Sequence, residues 1–225
     1  MKNMLNALKG GAYMVRTGLA KDDRPMLQKG WVIVEEGIDG LTEMSSHILN
    51  YVKEWRPELE QVDIGEVVKG TGTVFEQTAN DRGVELRTCV AEDMPPVWCD
   101  PELVRSVLLD LLSNALDTCL DKEYGAEESP AIDVRADTAE GRRNVLIEVQ
   151  DNGVGMSEAV KTNVFTPFFS TKKKWGTGLG LALTARVISA HGGEITVEST
   201  SDRGSTFRIS LPVSGPDPDK EETDG

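Results

Sequence analysis

Several chemistries are made unattainable by what the chain is short of. Its 225 residues include only two histidines, His47 and His191, and three cysteines, Cys89, Cys99 and Cys119. No two cysteines stand in a Cys-x-x-Cys spacing and their number is odd, so neither a disulfide framework nor a zinc site is expected. The thiols read as buried groups in a reducing compartment. No apolar run approaches the ~18 residues that a membrane span needs, and no signal-peptide core with a small-residue cleavage site opens the chain. A cytoplasmic chain without membrane contact is the expectation. Basic charge is scarce too: 24 Lys and Arg stand against 38 Asp and Glu, a formal net charge of −14. Long-range repulsion on that scale opposes the tracking of nucleic acid or anionic lipid, so any polyanion must be held by a local site.

What is present divides into three stretches. In residues 1–58, Leu5, Leu8, Ala12, Val15 and Leu19 advance by alternating steps of three and four, the seam of a helix. After the break "AKDDRP", a second seam runs through Leu27, Trp31, Val34, Ile38, Leu41, Ser45, Ile48, Val52 and Trp55 until Pro57. Two helices and a short turn make a hairpin. One hairpin offers a single partner layer for two stripes, so a second copy, giving a four-helix bundle, is the favoured cover; packing on its own chain is the other.

Residues 59–213 mix helical and strand patterns. "VDIGEVVKGTGTVFEQTAND" is helical, and "GVELRTCV" and "PPVWC" are short strands. "DPELVRSVLLDLLSNALDTCL" opens with an N-cap, a first-turn proline and an early acid. "AIDVRADTAEGRRNVLIEVQ" alternates as two strands about a glycine turn, "GLALTARVISAHGG" is a helix stopped by glycine, and "EITVEST" with "GSTFRISLPV" forms a closing hairpin. The fold class is α+β: a helical hairpin followed by a two-layer α/β sandwich with a mixed, mainly antiparallel sheet. Residues 214–225 are a Pro/Gly-rich acidic tail, expected to be disordered.

Four short segments carry the chemistry. Within "LLDLLSNALD", Asp110 and Asn114 sit four apart among leucines and so share one helix face. "DNGVGM" at 151–156 follows a strand, and reads either as a plain turn or as backbone that must come close to something. "GTGLGL" at 176–181 enters a helix, either as an ordinary helix start or as an anion site of backbone N–H groups. Between them, "FTPFFSTKKKWGTG" places three of the five phenylalanines in 165–169 and then three lysines, a solvated run or a phosphate-facing cluster.

In order and spacing these segments resemble the ATP-binding domain of sensor histidine kinases, within the superfamily that includes gyrase and Hsp90-type ATPases. "DLLSNALD" looks like the asparagine box, "DNGVGM" the first glycine box, "FTPFF" the phenylalanine box, and "GTGLGLAL" the second glycine box. "GSTFRISLP" resembles the closing strand, and the likeness runs from about Val62 to Val213. The resemblance implies ATP and magnesium as ligands, with Asn114 as the metal ligand. It assigns to Asp151 the hydrogen bond from the adenine amino group, with Gly153 and Gly155 letting the backbone approach the base and Thr206 lining the pocket. Thr177, Gly178, Leu179, Gly180 and Leu181 would face the phosphates, and Lys172 would bring them positive charge. Phe165, Phe168 and Phe169 are packing residues joining lid, ATP domain and hairpin. The implied activity is protein-histidine kinase, with a homodimer through the hairpin and a response regulator receiver domain as partners. A protein-serine kinase of the anti-sigma type and a non-catalytic ATP-binding scaffold are the alternatives.

Two departures from the family pattern stand out. Lys2, Asn3 and Leu5 match the end of the phosphoacceptor motif, whose histidine falls before Lys2, so the chain as given is expected not to autophosphorylate. His191 reads instead as a helix C-cap interacting with the helix dipole, and His47 as structural or exposed. Asp110 occupies a position where the family commonly has asparagine and other superfamily members have a glutamate base. It is the candidate catalytic residue, orienting an attacking group through water or standing behind magnesium.

Overall fold

The computed structural model describes residues 2–52, 57–171 and 178–215. Its elements in chain order are α1 (Lys2–Lys21), α2 (Arg24–Val52), β1 (Glu60–Val62), α3 (Ile64–Asp81), β2 (Glu85–Val90), β3 (Val97–Cys99), α4 (Pro101–Leu120), β4 (Ala131–Ala139), β5 (Asn144–Asp151), α5 (Glu158–Lys161), α6 (Gly180–Ala190), β6 (Glu194–Thr200) and β7 (Gly204–Pro212). They form two compact units: Met1–Lys53 with Pro167–Gly180, and Glu54–Thr166 with Leu181–Gly225.

In the first unit α1 and α2 pack as the expected hairpin, but glycines make the closest contacts. Gly11, Gly18, Gly30 and Gly37 are buried, two heptad pairs facing one another. A Cβ on Gly30 would lie 2.7 Å from the Val15 backbone nitrogen, and one on Gly18 would lie 2.8 Å from that of Leu27. Such notches bring the two backbones together, and Leu8, Val15, Leu27 and Val34 fill the flanks half-buried. The predicted seam therefore divides. Its other half, Leu5, Ala12, Leu19, Trp31 and Ile38, is exposed along with Tyr13 and Val32. Trp55 and the side chain of His47 lie outside the described residues.

The second unit is a two-layer sandwich. Its five strands run in the order β2-β4-β5-β7-β6, antiparallel except for the parallel pair β2–β4. Strict alternation assigns one face to the core: Ile132, Val134 and Ala136, then Val145, Ile147 and Val149, then Phe207, Ile209 and Leu211 are buried. The opposite face carries charge pairs, Arg87 with Asp133 and Arg208 with Glu148 and Glu198. Helices α3 and α4 pack on the apolar face, and α6 adds Leu183, Val187 and Ile188 to the same core. Strand β1, unforeseen in the sequence, pairs with β3 as a separate two-stranded ribbon.

The starts of α3 and α4 are capped by aspartate. Asp63 accepts from Gly65 and Glu66 N–H, and Asp100 Oδ1 accepts from Glu102 and Leu103 N–H at 3.1 Å each. The C-terminus of α6 is stopped by Gly192 at φ 71°, with Gly193 N–H donating to Ile188 O. His191 caps that end differently from expectation. It is wholly buried; Asp100 N–H donates to its Nε2 at 3.0 Å, so the proton sits on Nδ1, 2.7 Å from Val187 O. The ring staples the end of α6 to the start of α4, which is a longer-range role than the helix cap expected of it. Two cysteines match the reading of buried thiols, and burial pushes the Cys99 thiol up to about 11, but Cys89 is exposed.

Thr184 on α6 is wholly buried, and its hydroxyl has no hydrogen-bond partner among the described residues. Thr184→Val, which replaces that hydroxyl by a methyl, is expected to stabilise the protein by about 1 to 2 kcal/mol. A rise in the urea midpoint at unchanged slope is the readout, and a fall would mean that the hydroxyl is satisfied.

Candidate functional site

Helix α4 separates its apolar and polar residues cleanly. Leu108, Leu111, Leu112 and Leu116 are buried in the core, while Asp110 and Asn114 lie half-buried on another face. Both already engage other groups of the protein. The next step of four along the same face is Thr118, whose Oγ1 stands 3.1 Å from Asp151 Oδ1. A polar stripe of Asp110, Asn114 and Thr118, rising about 6 Å per step, thus ends on the acid of the glycine-rich turn.

Asp151 reaches that point by strand periodicity. It is the next inward position of β5 after Val145, Ile147 and Val149, so the face that fills the core ends in a carboxylate only 4 % exposed. Gly153 N–H donates to Oδ1 at 2.9 Å. Burial pushes the acid above the ordinary carboxylate range, opposed by the Gly153 N–H, the Thr118 hydroxyl, the Ser205 N–H and the Lys122 ammonium. Its neighbour Asn152 locks the surroundings: Oδ1 accepts from Ala131 N–H at 2.9 Å and from the Tyr124 hydroxyl at 3.1 Å, and Nδ2 donates to Ser129 O at 2.8 Å. Lys122 Nζ donates to the Asn152 carbonyl at 2.9 Å. Thr118, Lys122, Tyr124 and Asn152 were not foreseen, because each acts through a contact distant in sequence. The one available signal was the position of Thr118, a further four residues along the Asp110–Asn114 face.

The glycines of this turn are demanded by protein packing. A Cβ on Gly153 would lie 2.5 Å from the Thr118 carbonyl, so this turn closes directly on the end of α4. Gly155, at φ 61°, would place one 2.0 Å from the Thr200 carbonyl, and no L side chain fits there. The close approach that the structure exhibits is to α4 and to the β6–β7 turn.

Thr206 is misplaced as a pocket residue. It pairs with Gln150 on β5, whereas the residue opposite Asp151 is Ser205. Directly paired residues share a sheet face and successive residues alternate, so Thr206 is directed away from Asp151. Ser205 is 4 % exposed and its hydroxyl lies 3.0 Å from that of Ser199.

The phosphate-facing candidates belong partly to the other unit. Gly178, Leu179 and Gly180 fall with Pro167–Gly180, while Leu181 falls with Asp110, Asn114, Asp151, Gly153 and Gly155. Gly180 begins α6, whose first-turn N–H groups have no partner within the helix. Gly178 adopts φ 67°, and its carbonyl accepts from Phe168 N–H at 2.8 Å. Lys172 and Thr177, with Lys173 and Lys174, lie outside the described residues. Of the phenylalanines, Phe165 packs edge-on against Phe207 at 6.3 Å, Phe169 is half-buried and Phe168 is 68 % exposed.

These donors suit a nucleotide and a hard cation. A buried carboxylate can accept from an exocyclic amine, and an amide with a carboxylate one turn away offers oxygen ligands of the kind magnesium takes. Residues 99–215 match the family described as "Histidine kinase-, DNA gyrase B-, and HSP90-like ATPase". The chain belongs to this ATPase family. Among curated relatives, it is 31 % identical over 214 residues to the sensor histidine kinase ZraS of Escherichia coli (strain K12), covering 95 % of this chain and 43 % of that protein. It therefore spans less than half the length of that relative. Among solved structures, the nucleotide-free catalytic domain of histidine kinase ThkA superposes with a TM-score of 0.59 at 25 % identity, over 70 % of this chain and 97 % of that one. Histidine kinase ThkA in complex with response regulator protein TrrA has the same fold, with a TM-score of 0.73 at 21 % identity over 98 % of this chain and 62 % of that one. Within this ATPase family, the ATP-binding domain of the chain is of the sensor histidine kinase type.

Proposed function

We propose that the chain is the catalytic core of a sensor histidine kinase. It binds Mg-ATP and transfers the γ-phosphate to a histidine that these 225 residues do not contain, from which a response regulator aspartate receives it. The observation that carries the ATP assignment is Asp151, a carboxylate delivered by strand alternation to the end of the polar stripe on α4. His191 is no acceptor in this reading, since it is wholly buried and both ring nitrogens are engaged.

Asp151 accepts from the adenine amino group, while the N–H groups of Gly178 to Leu181 and the Lys172 ammonium meet the phosphates. Asn114 is the residue to hold magnesium, with Asp110 beside it; the ion neutralises charge on the phosphates during transfer. The exposed stripe of Leu5, Leu19, Trp31 and Ile38 supports a second copy of the hairpin as its cover, making the working unit a cytoplasmic homodimer. The receiver domain of a response regulator is the acceptor downstream.

The test is incubation with magnesium and γ-labelled ATP, alone and with a separate polypeptide bearing a phosphoacceptor histidine helix. Acid-labile label on the added polypeptide is expected. Acid-stable label on an added protein, or ATP binding without transfer, would sink the assignment, and label on His47 would overturn the claim that the acceptor lies elsewhere.

A further inference from the structure

Thr118 is a residue that the function above leaves without a task. Its hydroxyl has a single proton and two neighbours able to accept it, Ala115 O at 2.9 Å and Asp151 Oδ1 at 3.1 Å. The Ala115 carbonyl lies inside α4, where the N–H four residues on already serves it. An ionised carboxylate is acceptor-only and a stronger acceptor than a carbonyl, so it draws the hydroxyl proton toward Asp151 in competition with Ala115 O. Together with the Gly153 N–H at 2.9 Å, Oδ1 then receives two donors from two different elements, the end of α4 and the glycine turn.

Those two donors fix how the carboxylate is turned. Burial works against its charge, and the Thr118 hydroxyl is one of the groups that favour it. The close seating of Gly153 on the Thr118 carbonyl, reinforced by Val154 N–H donating to that same carbonyl at 3.2 Å, leaves little freedom between the two elements. A side chain so placed controls the direction in which Asp151 presents itself to a ligand.

We propose that Thr118 is a positioning residue for purine recognition: its hydroxyl holds Asp151 so that the carboxylate meets the 6-amino group of the base. This rests on the reading of Asp151 as the adenine acceptor, and the two can fail separately. Thr118 touches no reacting atom and acts only through the acid.

The experiment measures binding of two probes by calorimetry, ATP and purine riboside triphosphate, which lacks the 6-amino group, to the 225-residue chain with magnesium. The unmodified protein is expected to prefer ATP by about tenfold or more. Thr118→Val should weaken ATP by about 3- to 10-fold and leave the deamino probe within about twofold, the latter also certifying a folded site. Thr118→Ser should restore ATP binding, because it returns the hydroxyl alone. Equal weakening of both probes, or no weakening of ATP, overturns the positioning role while the preference of the unmodified protein still upholds Asp151. Should the unmodified protein bind both probes alike, the adenine assignment falls and the role of Thr118 with it.

Discussion

Asp151→Asn is expected to weaken ATP binding by about 1 to 3 kcal/mol, roughly 5- to 150-fold, while leaving the free protein at least as stable at neutral pH. The loss follows from replacing an acceptor by a group that can present N–H to the adenine amino group. The Asn oxygen can still accept from Gly153 N–H and the Thr118 hydroxyl, so that side of the group keeps its partners. The stability half follows from linkage. Burial raises the folded-state pKa of Asp151 above its unfolded value, so its favourable contribution is complete below the unfolded carboxylate range and is lost as pH rises through the folded pKa. Above that point the folded protein carries a charge in a site only 4 % exposed, and the amide removes this cost. Thermal unfolding of the ligand-free proteins should therefore show the Asn variant level with or above the parent at pH 7, its relative advantage shrinking as pH falls toward the unfolded range. ATP affinity of the parent should decline over the same acid interval, and that of the variant should stay flat. A variant that binds ATP normally refutes the adenine contact, whatever its stability.

That a site can be costly to the free fold explains which parts of it were legible in the sequence. Strand alternation placed Asp151 on the inward face by the same rule that placed Val149, and helical spacing put Asp110 and Asn114 side by side; both are local periodicities. Thr206 shows the limit of motif reading. A family pattern marks a neighbourhood, but a shift of one residue along β7 exchanges sheet faces, and only the pairing of Ser205 with Asp151 decides between them. The glycines illustrate a second limit. The sequence marks Gly153 and Gly155 as places of close approach without naming what approaches, and the contacts formed are with Thr118 and Thr200. In the hairpin the apolar period was real, yet glycines at heptad spacing took the inner contact and left half of the predicted seam outside. Hydrophobic pattern alone ranks a glycine as neutral, so a contact made by the absence of a side chain is invisible to it. The network of Lys122, Tyr124 and Asn152 depends on long-range hydrogen bonds that no spacing rule encodes.

The second large effect concerns the other end of the polar stripe. Asn114→Ala is expected to lower phosphoryl transfer by about 100-fold or more, because under the function proposed above this amide is the one that would hold the ion neutralising the phosphates. Affinity for ATP measured with excess chelator should change little, which separates loss of the metal ligand from damage to the adenine end. Asp110 is expected to behave differently. Its carboxylate stands one turn before Asn114 and is half-buried, and under the function proposed above it would orient a water bound to the ion. An amide oxygen can still accept that water's hydrogen bond, so Asp110→Asn should retain transfer within about threefold while Asp110→Ala loses about 10- to 100-fold. Single-turnover transfer from Mg-ATP to a histidine-bearing polypeptide gives both numbers. Equal losses for Asn and Ala would mean that the charge and proton affinity of Asp110 are what matters, and would assign it the role of general base.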